Sequence, residues 1–168
     1  MRGERILRAD IGLTAVFAAT AIYAAVVFDR TAQWVGAITA MVLFAIGVFT
    51  FLWSYWSAVQ RSRTHDIAVT QLYLLLGPQI PRPVRLTLNS TLLAQLAIAL
   101  ATTLARPNGP DGNPGSSLAV GFLVPMLGFG LNGLWASRYA EFAVRAEPSA
   151  GAEDRVPAEP IGQNADHG

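Results

Sequence analysis

The sequence contains no cysteine and no lysine. Without cysteine there is no disulfide, no thiolate metal site and no cysteine nucleophile. Without lysine there is no Schiff base and no P-loop lysine to hold a phosphate. All 12 basic residues are arginine, and 11 acidic residues leave a net charge of +1. That balance gives no basic field for nucleic acid. Histidine is confined to His65 and His167, which make no zinc site by themselves. Charge as a whole is scarce: 14% of residues carry it, against about 25% in a soluble domain. Much of this surface is therefore built for something other than water.

What the chain has in plenty is apolar sequence, 52% of its 168 residues, a length that suits one domain. A membrane helix needs about 20 mostly apolar residues. Four runs qualify: Ile11 to Phe28, Val35 to Val59, Leu86 to Ala105 and Ser117 to Ser137. None holds Asp, Glu, Arg or His. Soluble core helices of this length show a polar face, so the pattern predicts four membrane spans. The first run exceeds the apolar core of a signal peptide and is expected to stay as a helix. Trp34, Trp53, Trp56 and Trp135 stand near run ends, as interfacial aromatics do.

The arginines predict the orientation. Arg2, Arg5 and Arg8 precede the first run, Arg61, Arg63, Arg82 and Arg85 lie between the second and third, and Arg138, Arg145 and Arg155 follow the fourth. The other two connections hold only Arg30 and Arg106. The positive-inside rule then places both termini and the middle loop in the cytoplasm of a multi-pass membrane protein.

The middle loop carries an apolar piece, IAVTQLYLLL (Ile67 to Leu76), with Asp66 to cap it and Gly77 and Pro78 to stop it. As a helix it would be about 15 Å long, too short to cross a bilayer. It is expected to lie on the cytoplasmic leaflet or against the other helices. It then serves either as a docking element for a partner or lipid, or as a buried linker. The last connection, RPNGPDGNPGS, has turn composition. Residues 146–168 are rich in Pro, Ala, Gly and acid, and are expected to be a disordered cytoplasmic tail behind a membrane domain of residues 1–145.

The fourth run contains GFGLNG, a literal G-x-G-x-x-G on Gly128, Gly130 and Gly133. A dinucleotide loop needs a preceding strand and a βαβ unit. The glycines sit inside an apolar run, so no nucleotide and no other cofactor is expected. Helical spacing gives a different account. Gly121, Pro125, Gly128, Asn132 and Ala136 fall on one face. The third run has a stripe at Ser90, Ala94, Ala97 and Ala101. Small residues let membrane helices approach, so the two stripes are expected to form a seam, loosened by Gly128→Leu. Pro125 is expected to kink its helix. The second run shows only Gly36, Ala40 and Gly47, and is expected to face lipid with Phe44, Phe49, Phe51 and Leu52.

Three amides lie in the later runs: Asn89, Gln95 and Asn132. Asn89 and Asn132 fall at similar depth, within reach of a hydrogen bond, and Gln95 shares a face with Thr91 and Thr102. They form either a polar groove for a small ligand or ion, or interhelical glue. Ionisable side chains are missing from the runs, and with them the usual marks of proton relays. No nucleophile with a base can be placed, so no enzyme is expected.

The segments QLYLLLGPQIPRPVRLTL and ARPNGPDGNPGSSLAVGFLVPMLGFGLNGLWASRYAEF, and most of all Gly133, Leu134, Trp135, Ala136, Ser137 and Arg138 at the end of the fourth run, resemble a group of small, uncharacterised four-span membrane proteins of actinobacteria, and so of a bacterial plasma membrane. The resemblance implies topology and taxon, and assigns no functional residue. The expectation is an all-α, four-helix membrane bundle with a short cytoplasmic amphipathic helix. It would be a non-enzymatic accessory or scaffold subunit in the lipid bilayer, bound to a membrane-protein partner or to itself as a homo-oligomer. The alternative is a small transporter or lipid-binding protein.

Overall fold

The computed structural model describes residues 3–63, 65, 67–77, 80–109, 111–112 and 116–142. The order is α1 (Glu4–Val27), α2 (Arg30–Arg61), α3 (Val69–Tyr73), α4 (Arg82–Ala105), a 3-10 helix (Ser117–Leu123) and α5 (Pro125–Tyr139). No strand occurs among the described residues. Four stretches are long and apolar enough to cross a membrane: α1, α2, α4, and the 3-10 helix with α5 as one span. The caps expected at Asp66 and Pro78 and the tail at 146–168 lie outside the described residues.

The helices start earlier than the apolar runs. α1 begins at Glu4 and α2 at Arg30. Hydropathy marks what lies in lipid, whereas backbone hydrogen bonding continues into the polar interface. Arg8 donates to Glu4 Oε1 at 2.8 Å, one turn apart, and solvates the first turns of α1. The extension matters, because it carries Asp10 into the packed helices.

Two residues turn α1 into α2. Phe28 takes the left-handed conformation at φ 51°. Asp29 Oδ1 accepts from Ala32 N at 2.6 Å and caps α2. Arg106 closes the turn from outside: its Nε donates to Ala25 O at 3.1 Å, and its guanidinium lies 4.5 Å from the Phe28 ring centre. At the other end of the molecule Arg61 donates to Ser137 O at 2.8 Å. Each arginine thus satisfies a carbonyl that a helix C-terminus leaves open.

Pro125 does more than kink the fourth span; it divides it. Proline has no N–H to give to Gly121 O. That carbonyl instead accepts from Val124 N at 3.0 Å, closing a 3-10 turn, and α5 starts afresh at Pro125.

This span is the central one. Half of its most apolar window (50%) is buried, against 17% for α2. Its closest partner is α2, which corrects the expected seam. Gly47 of α2 lies so near α5 that a Cβ there would stand 2.5 Å from Leu127 N and 2.6 Å from Met126 C. A Cβ on Gly130 would strike Gly47 O and Thr50 Oγ1. The buried residues of α2 are Ala32, Gln33, Gly36, Ala40, Leu43, Gly47, Ser54 and Ala58, mostly small. Phe49 and Leu52 do face outward, 68% and 58% exposed. Phe51, however, is half-buried and stacks on Tyr73 with ring centres 4.3 Å apart.

The α4 side of the expected seam is also corrected. Ser90, Ala97 and Ala101 are exposed and Ala94 is half-buried. The inward face of α4 is Val84, Leu88, Gln95, Ala99 and Thr102. Small size permits approach without requiring it, and the larger Leu88 and Gln95 fill the interior. Gly128 does face α4, its Cβ position 2.7 Å from Leu92 Cδ1, whereas that of Gly121 lies between Phe17 Cζ of α1 at 3.4 Å and Ala99 Cβ of α4 at 3.7 Å. Trp135 is buried, 2% exposed, and packs under Gly3.

α3 is shorter than the apolar piece suggests. It covers Val69–Tyr73, and Leu75 follows at φ 55°. Leu72, Tyr73 and Leu75 are buried, while Val69, Leu74 and Leu76 are exposed.

Candidate polar site between the helices

The buried face of α1 is Ile6, Asp10, Thr14, Phe17, Ala21 and Ala24, spaced as successive helical turns. It meets α4 in a fixed parallel register. Thr91 pairs with Asp10, Gln95 with Thr14 and Arg106 with Ala25, each pair 81 residues apart. Two of these rungs are side chain to side chain, one helical turn apart.

On the first rung Thr91 Oγ1 donates to Asp10 Oδ2. The same hydroxyl lies 2.8 Å from Leu88 O. With Thr87 O at 3.2 Å as well, its single proton has three acceptors. With Asp10 ionised, the hydroxyl gives its proton to the carboxylate. With Asp10 protonated, the acid donates to Thr91 Oγ1, which turns its own proton to Leu88 O. Both protonation states keep Thr91 satisfied without moving the backbone.

On the second rung Gln95 Nε2 donates to Thr14 Oγ1 at 2.8 Å. Its free oxygen points the other way, 3.0 Å from where a Cβ on Gly128 would stand. Gln95 so bridges α1 and α5, and the absence of a side chain at Gly128 makes room for it.

The two asparagines meet as their matched depth suggests. Asn132 Nδ2 donates to Asn89 Oδ1 at 3.2 Å and to Tyr73 O at 2.9 Å. Asn89 Nδ2 donates to Leu74 O at 3.0 Å. These bonds tie the end of α3 to α4 and α5, and answer two backbone carbonyls. Asn89, Gln95 and Asn132 are thus all in contact with neighbouring segments, but on two rungs and not in one groove. Of the other seam residues, Gly128 lines the α4 side of the span, Gly121 lies between Phe17 and Ala99, and Pro125 stands half-buried at the start of α5.

Three oxygens in this region are buried and have no hydrogen-bond partner: Asp10 Oδ1, Gln95 Oε1 and Asn132 Oδ1. All three are acceptors. Asp10, Gln95 and Asn132 are each fully buried, at 0% exposure. Buried acceptors without donors are costly, and a proton on Asp10 would turn one of its oxygens into a donor. Among the described residues no three His, Cys, Asp or Glu gather to hold a metal.

Asp10 corrects the expectation that no ionisable group enters the spans. It stands one residue before the first apolar run, so hydropathy stops short of it. The signal was the helical period: Ile6, Asp10, Thr14 and Phe17 continue one stripe.

Comparison with protein-family models, curated proteins and solved structures finds no match for this chain.

Proposed function

We propose that the chain is a multi-pass protein of a bacterial plasma membrane, a four-helix bundle with both termini cytoplasmic, that takes up a proton at Asp10 as the working step of a small transport or coupling unit. The observation that carries this is the fully buried Asp10 carboxyl, with one oxygen on Thr91 and the other on nothing. An ionisable residue among membrane helices is a functional site by default. Thr91, with its second acceptor in Leu88 O, supports both protonation states. The chemistry is binding and release, with no covalent step.

The test is infrared difference spectroscopy on the reconstituted protein between acid and alkaline pH. A carboxyl band that titrates in the wild type and vanishes in Asp10→Asn supports the reading. Identical difference spectra for the two proteins sink it. A band that responds to sodium at constant pH would assign the site to a cation instead.

A second reading is the accessory subunit. It is favoured by a groove of about 180 Å³ beside α3, lined by Tyr55, Val59, Ile67, Val69 and Leu72. Tagged protein drawn from native membranes in mild detergent would carry a stoichiometric membrane partner. The substitutions Val69→Glu and Leu76→Gln, both at exposed positions, would release it. A homo-oligomer carrying only lipid would rule this out.

A further inference from the structure

At the end of the molecule opposite α3, a pocket of about 380 Å³ opens between the start of α2 and the start of the fourth span. That size lies within the range of small-molecule sites, about 300–1,000 Å³. Arg30, Gln33, Trp34, Asp111 and Ser117 supply its polar and aromatic lining. Ala37 and Val120 supply apolar surface.

Gln33 is the built part. It is buried, 7% exposed. Ser117 Oγ donates to Gln33 Oε1 at 2.8 Å and fixes the amide. Gln33 Nε2 is left with no acceptor. A buried N–H pair without a partner lacks an acceptor oxygen. Arg30 lines the same pocket, and its guanidinium donates to oxygen as well. An anionic group held by these two would be bound by charge-assisted hydrogen bonds.

A plain anion does not fit the whole lining, because Asp111 repels it. A cation beside the anion does fit. An ammonium group would face the Asp111 carboxylate and the Trp34 ring, whose face attracts cations. Among the described residues neither Arg30 nor Asp111 makes an ion pair.

The location narrows the choice. α2 starts at Arg30, directly after the two-residue turn that ends α1, so the pocket stands where a span leaves the lipid. Trp34 is 62% exposed there, as an interfacial aromatic is. This is head-group depth.

We propose that this pocket binds a phosphoethanolamine group, with the phosphate on Arg30 and Gln33 and the ammonium on Asp111 and Trp34. The group comes from an ethanolamine phospholipid or from a free phosphoethanolamine compound. The site is separate from Asp10, and its test is independent of the orientation of the chain in the membrane.

The full chain is placed in nanodiscs of phosphatidylglycerol, open on both faces, and titrated with O-phosphoethanolamine by calorimetry. Saturable binding is expected. Arg30→Gln and Asp111→Asn change exposed side chains, so helicity and unfolding temperature stay as in the wild type. Each weakens binding by about tenfold, as the loss of one hydrogen bond or ion contact to a charged group does. Inorganic phosphate binds more weakly than O-phosphoethanolamine. Discs that also hold phosphatidylethanolamine then separate the sources. Competition with the free compound, and retention of that lipid in native mass spectra that the two variants lose, assign the site to lipid. Unchanged affinity for the free compound assigns it to the soluble ligand. No binding in either format overturns the proposal. So does binding that both variants retain, and so does phosphate binding as tightly as O-phosphoethanolamine.

Discussion

Gly47 of α2 lies directly against the backbone of Leu127 in α5, with room for a hydrogen and nothing larger. The contact is backbone to backbone, so no rotamer change can relieve it. Gly47→Ala and Gly130→Ala are expected to destabilise the protein by about 1–3 kcal/mol, the usual cost of overpacking. Thermal unfolding in detergent measures it. Gly128→Ala meets side chains and no backbone, Leu92 Cδ1 at 2.7 Å, Gln95 Oε1 at 3.0 Å and Leu92 Cβ at 3.2 Å, and should cost less. Gly128→Leu has no room between those side chains and should loosen the helices. Gly12 has nothing within 4 Å of its Cβ position. Gly12→Ala should be neutral or stabilising by up to about 1 kcal/mol, through helix propensity. Equal losses at Gly12 and Gly47 would show that the seam is misplaced.

The rung between Thr14 and Gln95 is open to a double-mutant cycle. Thr14→Val and Gln95→Leu keep the approximate volumes and remove the hydrogen bond. Buried polar pairs between membrane helices couple by about 0.6 kcal/mol on average. A coupling of that size, measured by reversible unfolding in mixed micelles, is expected. Additive single effects would mean that the rung is absent in the membrane.

Asn132 ties α3 to the rest through Tyr73 O and Asn89. Asn132→Ala leaves that carbonyl buried without a donor, at about 1–3 kcal/mol. Amide exchange at residues 69–76 should accelerate, while exchange in the middle of α2 stays slow. Unchanged exchange in α3 would contradict the anchoring role.

The absence of cysteine makes topology easy to measure. A single cysteine at exposed Asn108 should react with an impermeant maleimide in intact cells. One at exposed Arg63 should react only after permeabilisation. The reverse pattern would invert the orientation that the arginines imply.

Alkaline pH offers a fourth check on the interior. Burial pushes the Tyr73 phenol above its ordinary range, and a hydrogen bond with Ser54 offsets only part of that. A raised folded value means that the native state keeps its proton after the unfolded chain has lost it. The contribution is intact below about pH 10, the unfolded phenol value, and declines as pH rises past it. With no lysine in the chain and arginine still charged, tyrosines are the side chains that titrate there. The fall in unfolding temperature between pH 9 and 11 should be shallower in Tyr73→Phe.

The sequence by itself determined the four apolar spans, their helical state and the similar depth of Asn89 and Asn132. These follow from composition and from the 3.6-residue period, which are local properties. The choice of neighbour was not local. A stripe of alanines on α4 and a stripe of glycines and small residues on α2 both permit close approach, and lipid offers no hydrophobic bias between them. Only the packed structure shows that α2 takes the face of α5 at Gly47 and Gly130, leaving Ser90, Ala97 and Ala101 exposed. Asp10 escaped for a related reason. An apolar run ends where charge begins, but a helix ends where its hydrogen bonds do, and α1 runs on to Glu4. The tertiary structure alone turned that extra length inward, against Thr91, and placed a carboxyl among the helices.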